Sequence, residues 1–177
     1  MILYECLINY SNILFSNAFS AVKAKLLSRR EDPDCPIGEG MIYTIEILED
    51  FKPQMNPKYV KEQIREVFTS EQSCGISLEI GEIHFISGTL KEGRFITNRC
   101  EWNSQYDALD FFQRHALENG LYRSGCDCKI QDCSYTYCRE SFESCAMPSN
   151  KICFHNKNAC IYNHTWKICK WLSSRCQ

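Results

Sequence analysis

Nine of the chain's thirteen cysteines fall between Cys126 and Cys176: Cys126, Cys128, Cys133, Cys138, Cys145, Cys153, Cys160, Cys169 and Cys176. Between them lie Tyr, Asn, Ser, Lys and single apolar residues, with no periodicity long enough to bury a helix or strand face. A segment so poor in aliphatic side chains cannot offset the entropy of ordering itself by burial alone. Cross-links that raise the free energy of the unfolded chain by roughly 2–4 kcal/mol each can do so. The pattern therefore reads as a disulfide-stapled module made in an oxidising compartment. Zinc is the competing reading. Structural zinc sites bring thiolates in pairs two to four residues apart, whereas Cys126-Asp127-Cys128 has a single spacer and no C-x-x-C occurs. No metal ligand set and no cofactor is expected.

Formal charge is −2, without the basic stripe of a nucleic-acid binder. The apolar-leaning run from Cys6 to Val22 is broken by Asn and Ser, so no membrane span is expected in the mature chain. Residues 1–21 have the length and small-residue ending of a signal peptide, although Glu5 is misplaced for one. Parity supports its removal: thirteen cysteines cannot all pair, but losing Cys6 leaves twelve. Residues 22–40, with charge, Pro and Gly clustered, read as a linker.

From Met41 onward the pattern becomes regular. Tyr43, Ile45 and Ile47 alternate with polar residues as a half-buried strand does. Asn56-Pro57 opens an expected helix to Ser70, with Val60, Ile64, Val67 and Phe68 as its stripe. Residues 75–86 form a second strand region with a register change at Gly81. Ser87-Gly88 is the favoured turn, Lys91-Glu92-Gly93-Arg94 the other candidate. Thr89–Thr97 returns, Ser104 caps a second helix with Asp107 in a capping box, and 121–124 forms an edge strand. The expected fold is α+β: a ferredoxin-like βαββαβ sandwich over 41–124, followed by a mostly irregular disulfide-rich module over 125–177. Cys74 and Cys100 flank the hairpin and could close it. With Cys35 they make three cysteines before the module, so complete pairing requires at least one bond between the two parts.

That order, with Gly75-Ile76-Ser77-Leu78-Glu79-Ile80 leading into Phe85-Ile86-Ser87-Gly88-Thr89-Leu90, resembles an SEA domain, a small extracellular module of cell-surface proteins. The resemblance implies a self-cleavage bond between Gly88 and Thr89, with the Thr89 hydroxyl as nucleophile. The sequence departs from the family motif there: Thr stands for Ser, and Lys91-Glu92 follow where aliphatic residues belong.

No other catalytic arrangement emerges. His84 falls on the polar face of its strand, His115 late in a helix, and His155 and His164 in the stapled loops; none is tied to a nucleophile and an orienting acid. Asn163-His164-Thr165 is a glycosylation sequon within the stapled module, and Asn9-Tyr10-Ser11 a second near the start. The expectation is a secreted or cell-surface, non-catalytic protein that engages an extracellular protein or glycan through its cysteine-rich module. The alternative is a growth-factor-like or toxin-like ligand with that module as its active part.

Overall fold

The computed structural model describes residues 20–32, 40–52, 64–70, 75–133, 141–147 and 157–172. The chain divides into two compact units, one holding 20–109 and the other 110–172 of these residues.

The first unit is a barrel. Strands β1 (Ser20–Asp32), β2 (Gly40–Asp50) and β3 (Ile64–Ser70) run antiparallel in order. β3 pairs in parallel with β5 (Arg94–Ile96), which pairs antiparallel with β4 (Ile83–Lys91). β4 then returns to β1, Ser20 opposite Gly88 through Lys25 opposite Ile83, and the five-stranded ring closes. β6 (Asn103–Gln105) adds to β4 outside the ring. This is the connectivity of an OB-like barrel. The ferredoxin-like sandwich expected from the sequence is therefore incorrect: the sheet closes on itself, and among the described residues no helix covers it.

β1 makes closure possible. It is thirteen residues long and meets β2 on one edge and β4 on the other. Register shifts at Lys23/Ala24 and Leu26/Ser28 mark bulges, which bend a strand round a corner. Val22, Ala24 and Leu26 face the interior with Tyr43, Ile45, Val67, Leu78, Ile86 and Phe95, all buried. Residues 22–32 of the stretch read as a linker, together with Ser20 and Ala21, thus form a core strand, and residues 33–39 lie outside the described residues. Lys23 and Lys25 are its outer residues, and Lys23 sits over the Tyr106 ring at 3.9 Å.

Residues 64–70, assigned to a helix, are strand β3. Val67 and Thr69 are buried while Ile64 and Glu66 are exposed, a period of two. Ile64, Val67 and Phe68 also fit a helical stripe, and short apolar runs satisfy both periods. The β4–β5 reversal uses Glu92 and Gly93, with φ of 53° and 79°, two left-handed residues as in a type I′ hairpin. Ser87 and Gly88 instead lie inside β4, so the turn on which the self-cleavage expectation depended is absent. Gly88 is required there for space: a Cβ would run into the Ile96 carbonyl and the Phe95 ring.

Residues 75–79 have no regular secondary structure but pack on the barrel, with Leu78 in its core and Ile76 against it. Tyr43 holds them. Its buried hydroxyl donates to the Ile76 carbonyl (3.5 Å) and accepts from the Leu78 N–H (3.3 Å). Thr69 Oγ1 accepts from the Ile76 N–H. On the outer side of β4, Phe85 packs against Trp102 (4.4 Å between centroids) and Phe51 (5.9 Å). Both faces of β4 are thereby covered, and every residue from His84 to Gly88 is buried.

In the second unit, helix α1 (Phe111–Glu118) begins at Asp110, not Ser104. Asp110 accepts from the Gln113 N–H at 2.8 Å, and Gln113 Oε1 accepts from the Asp110 N–H. Asn119-Gly120 ends it, with Gly120 at φ 66°. Residues 121–124, expected as an edge strand, form the short helix α2 (Leu121–Ser124). β7 (Lys129–Asp132) pairs in parallel with β8 (Ser144–Met147), and β9 (Cys160–Asn163) with β10 (Ile168–Trp171) as a hairpin.

Replacing Gly88 by Ala should lower barrel stability by about 1–3 kcal/mol through backbone overpacking. A shift of the urea midpoint would register it. An unchanged midpoint would mean that β4 and β5 are not in close contact at this position.

Candidate functional site

The described part of the barrel carries two concavities. The first, about 350 Å³, is lined by residues 75–79, Arg99, Asn103–Gln105 and His84. His84 lies opposite Ala24 of β1 and Gln105 of β6. It is only 4% exposed, so its expected place on a polar, solvated face is incorrect: by alternation it shares the inward side of β4 with Ile86. Neither ring nitrogen makes a hydrogen bond of good geometry among the described residues, although the Glu79 backbone lies near enough to interact with the ring. Burial holds the imidazole pKa below its usual 6.5, opposed by the backbone and carboxylate of Glu79 and by Glu82. A neutral imidazole offers one donor and one acceptor. The Glu79 carboxylate above it is held by Gln105 Nε2 at 3.1 Å, and Ser104 Oγ donates to the Gln105 carbonyl. No hydroxyl is aligned on the imidazole as a nucleophile, so the pocket can seat a polar group but shows no catalytic relay.

The second concavity, about 450 Å³, has a mixed apolar and charged lining. Phe68, Leu90, Phe95 and the exposed Ile64 line it, with Arg65, Glu66 and Arg94 among the charged residues. The Arg94 guanidinium lies 4.9 Å from the Phe68 centroid and 3.8 Å from the Asp32 carboxylate. Such a mix suits a protein side chain rather than a reacting small molecule.

The second unit is built around sulfur. Cys128 bonds Cys169 and Cys145 bonds Cys160, forty-one and fifteen residues apart in sequence. The four are buried, with Ile130, Tyr162 and Trp171 packed on them. Gly125 approaches the Cys160 carbonyl so closely that no side chain fits, and Trp171 Nε1 donates to the Ala146 carbonyl at 2.7 Å. Cys100 and Cys133 are also disulfide-bonded. Cys126, expected to pair, is a half-buried free thiol, and its Sγ faces the Tyr122 carbonyl at 3.8 Å. Cys35, Cys74, Cys138, Cys153 and Cys176 lie outside the described residues, as do Asn9 and His155. Phe142 and Trp166 are 76% and 72% exposed, whereas Tyr162 and Trp171 shelter the bridges. Among the described residues no cluster of three His, Cys, Asp or Glu could hold a metal, and no helix is long and apolar enough to cross a membrane.

Sequence reasoning put His84 on the wrong face of its strand and missed the β3–β5 concavity. The apolar residues on either side of His84, Ile83, Phe85 and Ile86, were the available signal that its strand is covered on both faces.

Two predictions arise from these groups. His84 binds a proton less readily folded than unfolded. Its contribution to stability is therefore complete above about pH 6.5 and lost as pH falls through its lowered folded-state value. Glu101, whose pKa burial raises from 4.5, acts with opposite sign at lower pH. Urea midpoints should fall on acidification from pH 7.5, and His84→Leu should flatten that slope. An identical slope in the variant would contradict it. Taken singly, loss of the Cys128–Cys169 bridge should cost about 4 kcal/mol and of Cys145–Cys160 about 3 kcal/mol, following loop length. Paired Cys→Ala variants under denaturant titration measure both.

Comparison with known proteins places these features. A family model described as tissue inhibitor of metalloproteinase matches residues 5–171. Metalloproteinase inhibitor 3 of Gallus gallus is 32% identical over 128 residues, covering 70% of this chain and 57% of the relative. The Xenopus laevis protein of the same name is 30% identical over 139 residues, covering 75% and 61%. Metalloproteinase inhibitor 2 of Homo sapiens is 29% identical over 131 residues, covering 70% and 58%. The chain thus spans about three fifths of the length of these relatives. One family model crosses both units, so the SEA resemblance and the separate, unassigned cysteine-rich module are both incorrect. A glycan partner finds no support in this family. The family consists of secreted inhibitors, not enzymes, and the protein is extracellular, in keeping with its disulfides. The chain belongs to the tissue inhibitor of metalloproteinase family.

Proposed function

We propose that this protein binds a metalloproteinase outside the cell and inhibits it. The observation that carries this reading is the family match over residues 5–171, which runs through the barrel and the stapled unit alike. The relatives carry the name metalloproteinase inhibitor.

The physical character of the chain suits that role. A proteinaceous inhibitor must hold its contact surface in one shape, because ordering it on binding subtracts from affinity. It must also resist the protease it meets, and cleavage requires local opening of the chain. A closed barrel leaves little unpaired strand edge to open. Two described bridges pin the second unit around a core that apolar residues alone would leave small. Neither concavity on the barrel holds a catalytic arrangement, and the one between β3 and β5 mixes apolar and charged residues as protein contact surfaces do.

The experiment is inhibition kinetics. Oxidised, full-length chain is titrated against a panel of extracellular zinc endopeptidases with a fluorogenic peptide substrate. At least one enzyme should lose activity in proportion to added chain, with the chain recovered uncut. Prior reduction of the disulfides should abolish the effect. Absence of inhibition across the panel at about micromolar chain, a weak-binding threshold for a protein inhibitor, would overturn the proposal.

A further inference from the structure

The hairpin of the second unit carries the triplet Asn163-His164-Thr165 at its tip. Asn163 is the last residue of β9 and lies opposite Ile168, the first of β10. Its Oδ1 accepts from the Trp166 N–H at 2.9 Å, an Asx-type turn that holds the side chain at the mouth of the reversal. Its Nδ2 donates to nothing among the described residues. Asn163 is half-exposed, and His164, Thr165, Trp166 and Lys167 are all exposed. The bonded cysteines Cys160 and Cys169 on the two strands fix the hairpin from below.

We infer that Asn163 is a site of N-glycosylation. The acceptor needs an Asn amide with a Thr or Ser hydroxyl two residues on, in a chain that passes through an oxidising secretory compartment. Thr165 supplies the hydroxyl, and the disulfides place the chain in that compartment. The donor is a lipid-linked oligosaccharide diphosphate. A bond forms between Nδ2 and the anomeric carbon of the first N-acetylglucosamine, the anomeric carbon–oxygen bond to the diphosphate breaks, and the lipid diphosphate leaves with the proton lost from Nδ2.

The folded hairpin accommodates the product. Glycosylation uses Nδ2, which is unengaged, and spares Oδ1, which holds the turn. The attached sugar projects from an exposed tip, away from the buried bridges. Trp166 is 72% exposed, and its backbone N–H is tied to the Asn163 side chain.

The test uses the whole chain expressed through the secretory pathway of animal cells. Digestion with an amidase that releases N-glycans should lower its mass by a full core glycan. The peptide containing residues 161–167 should then carry aspartate at position 163, marked by heavy oxygen when digestion is done in labelled water. Thr165→Ala keeps the Asn163–Trp166 hydrogen bond yet should abolish the modification, and Thr165→Ser should retain it. Asn9, in the other sequon, is distinguished by its own peptide. Recovery of the 161–167 peptide wholly unmodified from secreted protein would overturn the inference, whatever the state of Asn9. Modification that persists in Thr165→Ala would overturn it equally.

Discussion

Everything described in the first unit depends on one strand pairing with two neighbours. β1 hydrogen-bonds β2 along one edge and β4 along the other, and without the second ladder the sheet would stay open. An open five-stranded sheet would leave the backbone groups of β1 and β4 unpaired and expose Val22, Ala24 and Leu26 on its inner face. Closure turns a modest set of apolar residues into a core, because each interior side chain is surrounded from all sides. The bulges at Lys23/Ala24 and Leu26/Ser28 let one strand serve both ladders.

The second unit reaches order by a different route. Its strands are four residues each, too short to bury much surface. Its described core is two disulfides with Ile130, Tyr162 and Trp171 against them. Here the covalent constraint on the unfolded chain does what interior packing does in the barrel. For the inhibitory role proposed above, parts held in this way would spend little binding energy on ordering themselves.

Some of this was legible in the residues and some was not. β2 was clear, because Tyr43, Ile45 and Ile47 alternate with polar residues over a strand covered on one side. β4 was found but misdivided. Its run from His84 to Gly88 is buried on both faces, so alternation vanished and the nearest Gly was taken for a turn, while Glu92-Gly93 held the reversal. β1 was hidden by composition: Lys23, Lys25, Arg29 and Arg30 resemble a solvated linker, although Ala21-Val22-Lys23-Ala24-Lys25-Leu26 alternates. β3 was lost because Ile64, Val67 and Phe68 satisfy two periods, and only pairing with β2 and β5 decides between them. Such a choice belongs to tertiary structure. The oxidising compartment followed from cysteine density alone, but the free state of Cys126 did not, since parity counts cysteines without locating the odd one. Family membership lay beyond reach of the pattern reading, because strand order in a barrel is not encoded by any short motif.

The proposed function requires that this disulfide-stapled member of the family form a stable complex with a metalloproteinase. Isothermal titration of the oxidised chain into an active, uninhibited extracellular metalloproteinase tests it most directly. The account predicts a saturable heat at equimolar ratio that disappears when the chain is first reduced and alkylated. A flat titration across extracellular zinc endopeptidases, or heat that survives reduction unchanged, would contradict it.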